Sequence, residues 1–276
     1  WDTEENWSRL TRFLSSLGRT LDDVATVTST HLHPDHLGLT RRIADHTGTP
    51  AIMHRVEIEA FHSDRPRANL DVDEERLTTW GVPEEQHGRL SGPLDLGVLP
   101  TLPSGLRPIE DGELLPIPGR RIEAVWTPGH TSGHLCFREV DERLLFTGDH
   151  VLPTINPGLG LGGRVRTNPV LDYLGALERI AEHDDHEILP GHEAPFRGLA
   201  IRCASAAEHH LRRAREVRDL MASHPGLSVW DTARRLRWRR GWDALRDYHA
   251  VSALAQTQLH MEFVAAPEAA RYLDRK

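Results

Sequence analysis

Thr30-His31-Leu32-His33-Pro34-Asp35-His36-Leu37-Gly38 is the stretch that decides how the chain is organised. It holds three imidazoles and one carboxylate, and it follows a β-branched run that predicts a strand. In an extended segment the side chains at i and i+2 point to one face, so His31 and His33 can bind one ion together. Asp35 and His36 follow round a turn and can serve a second ion beside the first. Imidazole and carboxylate ligands predict zinc, iron or manganese.

Alternating helix and strand patterns on both sides of this loop predict an α/β fold. The strand patterns cover 24–29, 51–53, 113–115, 121–126, 135–137, 144–146 and 187–189. The helical patterns of this part cover 3–17, 37–47 and 169–183. We therefore expect a catalytic domain over residues 1–198, with strands that end in histidine-bearing loops.

Residues 55–108 interrupt this alternation, because they are rich in charge, proline and glycine, with a mixed helical stretch near 73–80. We interpret them as an insertion or lid over the histidine site, and a solvated connector without a role in substrate choice is the alternative. Residues 199–276 predict a helical, winged-helix-like C-terminal domain. Its helical patterns cover 200–222, 229–236 and 242–259, followed by the strand-like run 262–264.

Composition excludes several classes of protein. The formal net charge of −8 argues against a nucleic-acid coat, and no apolar run is long enough to span a membrane. Lys276, the last residue, is the only lysine, so neither a Schiff-base lysine nor a P-loop lysine is expected. Cys136 and Cys203 cannot form a disulfide framework, which favours a reducing, cytoplasmic compartment for a soluble protein.

Three later loops carry further candidate metal ligands. His130 follows the strand 121–126, Asp149 follows the strand 144–146, and His192 follows the last strand. A glycine stands just before each of them, where a turn needs a permissive backbone. Each loop lies at the carboxyl end of a strand, where open α/β sheets usually build their sites.

With these loops the chain resembles the metallo-β-lactamase superfamily from residue 1 to about 198. The resemblance implies a four-layer αββα sandwich, with the N-terminal strands of the family missing before Trp1, as in a fragment. It assigns His31, His33 and His130 to one metal, and Asp35, His36 and His192 to a second, with Asp149 bridging the two.

This ligand set implies a hydrolase with two ions per chain, most simply Zn²⁺, and with iron or manganese as alternatives. Two cations that share a water lower its pKa from about 15.7 toward about 7. Asp35 and Asp149 would act as catalytic groups as well as ligands. Relatives that reduce oxygen at a di-iron centre carry glutamate in place of His33, so histidine there favours hydrolysis. Mononuclear-iron persulfide dioxygenases keep that histidine and remain an alternative.

Three further histidines are candidates for a supporting role around the metals. His134 and His150 adjoin the ligand loops and are expected to orient Asp149 or to face substrate, with plain packing or a role in the turn as the alternative. His54 ends the strand 51–53 and points toward the site in the predicted fold. The other histidines are interpreted as surface or core residues, and Cys136 as a buried packing residue.

Three substrate hypotheses remain open from the sequence. The first is a small ester, thioester or lactone, as in glyoxalase II-like relatives. The second is RNA, held by the ten arginines from Arg212 to Arg246. The same stretch has only four acidic residues. The third is a non-catalytic binding module, which an intact ligand set disfavours. We expect a small-molecule substrate, no membrane partner and a solvated role for the arginines, with homodimerisation left open.

Overall fold

Two β-sheets form the centre of the protein in the computed structural model, which describes residues 1–62, 72–90, 101–103, 105–162 and 167–274. The first sheet is parallel, in the order β1-β2-β3. The second is ordered β4-β5-β6-β7, with antiparallel pairs except for the parallel pair β6-β7. The strands are β1 Val27–Thr28, β2 Ala51–His54, β3 Leu106–Ile109, β4 Ile122–Trp126, β5 Leu135–Glu139, β6 Leu144–Gly148 and β7 Glu187–Pro190.

Helices cover the outer faces of both sheets. They are α1 Glu4–Ser16, α2 Pro34–Leu37, α3 Thr40–Thr47, α4 Arg55–Phe61, α5 Glu74–Thr79, α6 Glu84–Leu90, α7 Pro169–Ile180, α8 Leu199–Ser223, α9 Val229–Arg235, α10 Asp247–Ala265 and α11 Ala270–Leu273. None of the helices in the described ranges is long and apolar enough to cross a membrane.

Three apolar clusters stack these elements into four layers. Between the sheets, Ile52 and Ile109 pack against Ala124, Leu135 and Phe137. On the outer face of the first sheet, the strand β2 packs against α4 and the ligand loop. On the outer face of the second sheet, β5, β6 and β7 pack against α7, α8 and α10. The expected αββα sandwich is therefore confirmed.

The segment that leads into the histidine loop differs from the prediction. The strand predicted over 24–29 is shorter, and its paired residues are Val27 and Thr28, opposite Ala51 and Ile52 of β2. The helix predicted over 37–47 is divided, since Pro34 starts α2 early and Gly38 ends it. The run 113–115 forms a single bridge between Leu114 and Glu123 rather than a strand. The ligands His31 and His33 therefore lie in the short loop between β1 and α2.

The C-terminal helices also differ from the prediction. Residues 242–244 form a 3-10 turn, and the following helix begins at Asp247 rather than at 242. The run 262–264, expected as a wing strand, lies inside α10. Phe263 is fully buried there and faces Tyr272, with ring centroids 6.4 Å apart, so the helical period continues through this run.

The described part of the predicted lid packs against the C-terminal helices. Trp80 is fully buried, its Nε1 donates to Gln258 Oε1 at 2.7 Å, and its carbonyl accepts from Trp230 N at 2.9 Å. Residues 72–90 thus share one apolar cluster with α9 and α10. The parts of 55–108 at 63–71, 91–100 and 104 lie outside the described residues.

Candidate metal centre

The first group of predicted ligands lies at the ends of β1 and β4 and beyond β6. Ligand atoms of His31, His33, His130 and Asp149 all lie within 4.8 Å of one another. His33 Nδ1 is 3.0 Å from His31 Nε2 and 3.1 Å from His130 Nε2. Three imidazole nitrogens therefore converge, as predicted for His31 and His33, although the backbone at 30–32 is bent rather than extended.

The second group joins the start of α2 to the loop after β7. Ligand atoms of Asp35, His36 and His192 also lie within 4.8 Å of one another. His192 Nε2 is 3.2 Å from His36 Nε2 and 3.2 Å from Asp35 Oδ2. These separations are close to the edge of a zinc tetrahedron with bonds of about 2.0–2.1 Å, which is roughly 3.3 Å.

Asp149 lies between the two groups and offers one oxygen to each. Its Oδ1 is 3.2 Å from His36 Nε2 and 3.4 Å from His192 Nε2, whereas its Oδ2 is 3.7 Å from His130 Nε2. Burial alone raises the pKa of Asp149, but His36 and the other imidazoles nearby outweigh it and lower the pKa. The carboxylate is therefore ionised and can be shared by two cations.

The tautomers of His33 and His130 direct a lone pair from each ring to the same place, where a cation would be bound. His33 Nε2 donates to Leu161 O at 2.8 Å, and His130 Nδ1 donates to Gly158 O at 2.7 Å. Burial lowers the pKa of His33 and lowers that of His130 to about 3, so both rings are neutral. Their inner nitrogens then both carry lone pairs at 3.1 Å, an arrangement that two acceptors do not favour without a bound cation. The residues therefore fit a divalent metal ion.

The carbonyls that accept from these rings lie in the loop 158–161, which the C-terminal helix α10 holds in place. Gln256 accepts from Leu159 N and donates to Leu159 O, at 3.3 and 2.8 Å. Leu161 N in turn donates to His130 O at 2.8 Å. Outer-shell partners of this kind fix the tautomer and orientation of metal-binding histidines. Helix α10 thus contributes to the geometry of the first group.

Glu57 is a further residue of this site, and sequence reasoning missed it. It lies in α4 and is almost completely buried. Its Oε2 accepts from Leu32 N, between the first two ligands, at 3.1 Å. Its Oε1 accepts from Thr131 Oγ1 and from Gly133 N, the latter at 2.9 Å. One carboxylate therefore joins the loop of His31 and His33 to the loop of His130.

Gly133 is required at this junction. A Cβ atom at this position would lie 2.5 Å from Glu57 N and 2.8 Å from Glu57 Cγ, closer than non-bonded atoms approach. Because Glu57 and Glu59 look alike in a short charged helix, the sequence carries no signal that separates the buried carboxylate from the exposed one.

The three histidines predicted to support the site have different roles. His134 Nε2 accepts from Asp149 N at 3.2 Å, and its Nδ1 pairs with Thr127 Oγ1 at 2.9 Å, so this side chain orients Asp149 as one alternative predicted. His150 is fully buried, and within the described ranges neither ring nitrogen has a hydrogen-bond partner. His54 stacks on Trp126 and accepts from Val56 N, so it caps α4 rather than contacting the metal ligands.

The open side of the site is bordered by the loop 152–156. Glu193, next to His192, accepts hydrogen bonds from Thr154 N and Thr154 Oγ1. Arg202, in the first turn of α8, donates to the carbonyls of Leu152 and Ile155, each at 2.6 Å. The start of the longest helix is therefore attached to the border of the candidate metal centre.

A family model described as the metallo-β-lactamase superfamily matches residues 1–192, which include every predicted ligand. Among solved structures, a metallo-β-lactamase family protein from Thermus thermophilus is 27% identical with a TM-score of 0.72, and the match covers 95% of this chain and 81% of that one. A β-lactamase domain protein from Burkholderia ambifaria is 26% identical with a TM-score of 0.65, covering 88% and 69% of the two chains.

Curated relatives include thioesterases. An atrochrysone carboxyl ACP thioesterase from a Cryptosporiopsis species is 30% identical over 156 residues, which are 54% of this chain and 45% of that protein. Another atrochrysone carboxyl ACP thioesterase, from Paecilomyces divaricatus, is 34% identical over 173 residues, which are 59% and 51% of the two chains. This chain therefore matches about half the length of these relatives.

Proposed function

The chain belongs to the metallo-β-lactamase superfamily, and we propose that it is a metal-dependent hydrolase that cleaves thioesters at a two-metal centre. The observation that carries this proposal is the sharing of Asp149 between two groups of converging nitrogens. A carboxylate with one oxygen toward each group is what two adjacent cations require. Zinc is the proposed metal, because three imidazoles and a carboxylate suit it.

Two bound divalent cations would polarise a substrate carbonyl and make a water molecule acidic enough to attack at neutral pH. The residues of the chain position that chemistry. His31, His33 and His130 are held by burial and by their outer hydrogen bonds. Asp35 is about one-third exposed beside His192, so its carboxylate is available to orient a water and accept its proton.

A thioester is the proposed substrate class, because the relatives named as thioesterases are 30% and 34% identical to this chain over 54% and 59% of its length. The structure contributes a chemical reason as well. A carbonyl compound needs one open face of the metal centre, and the second group provides it, since His192 and Asp35 are exposed there while His31 is fully buried. Small esters and lactones share this requirement and are the next substrates to test.

The test is a panel of thioester, lactone and phosphodiester substrates with zinc-loaded, iron-loaded and metal-free protein. We expect thioester turnover that disappears on metal removal and returns with zinc. Phosphodiester cleavage without thioester turnover would contradict the proposal and favour the ribonuclease alternative. Oxygen consumption by the iron-loaded protein with a persulfide, without hydrolysis, would favour the dioxygenase alternative.

A further inference from the structure

A basic pocket lies on α8, away from the candidate metal centre. It is a cavity of about 580 Å³ between α8 and the segment that follows α9. Its lining residues are His209, Arg212, Arg213, Glu216, Asp219, Arg237 and Arg239. Small-molecule sites have volumes of about 300–1,000 Å³. The cavity therefore has the size of a small-molecule site rather than the shape of a macromolecular interface.

One arginine of this pocket is fixed in place. Arg213 donates to Glu216 Oε2 at 2.8 Å and to Arg237 O at 2.7 Å, and its guanidinium lies 4.6 Å from the ring centre of Trp238. The second oxygen of Glu216 accepts from Arg237 N at 2.8 Å. Both carboxylate oxygens of Glu216 thus have partners in the wall of the pocket, and the guanidinium of Arg213 is held in one orientation.

The remaining cations of the pocket are free to bind a ligand. Arg212, Arg237 and Arg239 are exposed, and within the described ranges their guanidinium groups pair with no acidic side chain. Asp219, the other acid of the lining, pairs with Arg218 at 3.5 Å. Four arginines against two already paired acids give a positive cavity in a chain with a formal net charge of −8. Arginine forks bind phosphate oxygens in pairs.

We propose that this pocket binds the phosphorylated nucleotide end of an acyl-thioester substrate. The use of the pocket as a substrate handle rests on the proposed thioesterase function. Arg202 holds the border of the metal centre, and Arg212 follows it ten residues later on the same helix, which is about 15 Å along the axis. The proposal requires a substrate long enough to place its phosphates in the pocket while its thioester is at the metals.

The test is calorimetric binding of adenosine 3′,5′-bisphosphate, inorganic phosphate and a single-stranded RNA to the zinc-loaded protein. The bisphosphate carries two separated phosphates and no thiol. Any binding of its phosphates to the zinc ions would be the same in all variants, so a difference between variants reports on the pocket alone. The pocket variant is Arg212→Glu/Arg239→Glu. Its matched control, Arg12→Glu/Arg107→Glu, makes the same charge change at two exposed arginines outside the pocket.

We expect the bisphosphate to bind the wild type and the control alike, and to bind the pocket variant at least tenfold more weakly. Binding should also weaken as salt rises, because the contacts are ionic. The proposal is overturned if both double variants bind alike, if inorganic phosphate binds as tightly as the bisphosphate, or if only RNA binds. Turnover of a phosphate-free thioester by the wild type is measured separately. Its absence would refute the proposed function, whereas equal binding by the two variants would refute only the pocket.

Discussion

The two halves of the candidate metal centre are built differently. In the first, His31 is fully buried, and the outer nitrogens of all three imidazoles contact Thr30, Leu161 or Gly158. In the second, His192 is 43% exposed, and within the described ranges the Nδ1 atoms of His36 and His192 have no partner. In the proposed two-metal centre, the first group would be a rigid site for one ion, and the second an open site where another ion would meet substrate.

The largest expected effect comes from the one residue that both halves share. Asp149→Asn keeps the shape of the side chain but removes the charge that lies between the two groups. We expect the affinity of both ions to fall, and kcat/KM for a thioester to fall about a thousandfold, or about 4 kcal/mol. Metal content and kinetics measure this, with the exposed Asp22→Asn as the control. Two tightly held ions in the variant would show that Asp149 does not bridge.

The next prediction tests directly whether the two groups bind their ions with different affinities. If both groups hold zinc, a chelator should remove one ion at a ten- to hundredfold lower concentration than the other, because among the described residues only the imidazoles of the first group have outer-shell partners. Native mass spectrometry at each chelator concentration counts the ions that remain. His192→Ala should retain the tightly held ion, whereas His130→Ala should lose it. Release of both ions in one step would show that the halves are equivalent.

The next prediction concerns Glu57, whose carboxylate joins the loop of His31 and His33 to the loop of His130. Its replacement is expected to lower the affinity for zinc about tenfold. Glu57→Gln is isosteric, but its amide places N–H groups against Leu32 N or against Thr131 and Gly133, which are donors themselves. Loss of such a partner weakens the metal site by about tenfold or more. Glu59→Gln, on the exposed face of the same helix, is the matched control. Equal zinc affinities for the two variants would contradict a positioning role for Glu57.

The sequence predicted the inner parts of both halves but not what holds them. Spacing and turn residues place His31, His33 and Asp35 within one loop, because local backbone geometry determines their positions. The order of the later loops placed His130 with them only through the family resemblance. The carbonyls of the 158–161 loop, the buried Glu57 and the packing of 72–90 against α10 are contacts between distant segments, and no local pattern encodes them.

Glu57 also predicts an effect on the pH dependence of the stability of the metal-free protein. Burial raises the pKa of Glu57 from 4.5 to about 7, against three hydrogen bonds that lower it. Between these values the folded state keeps a proton that the unfolded state has lost, so this group makes the free energy of unfolding fall as pH rises from about 4.5 to about 7. The slope is at most about 1.4 kcal/mol per pH unit.

Glu57→Gln cannot titrate, and the histidines around the site contribute equally to both proteins. Denaturant unfolding of the metal-free wild type and variant at several pH values therefore isolates this single group. We expect the stability of the wild type relative to the variant to decrease across that window and to become constant above it. Parallel curves would mean that Glu57 is already ionised near pH 5. Glu57 would then hold the loops of the first group as a charged carboxylate across this pH range. The pH dependence of stability would not distinguish it from the exposed Glu59.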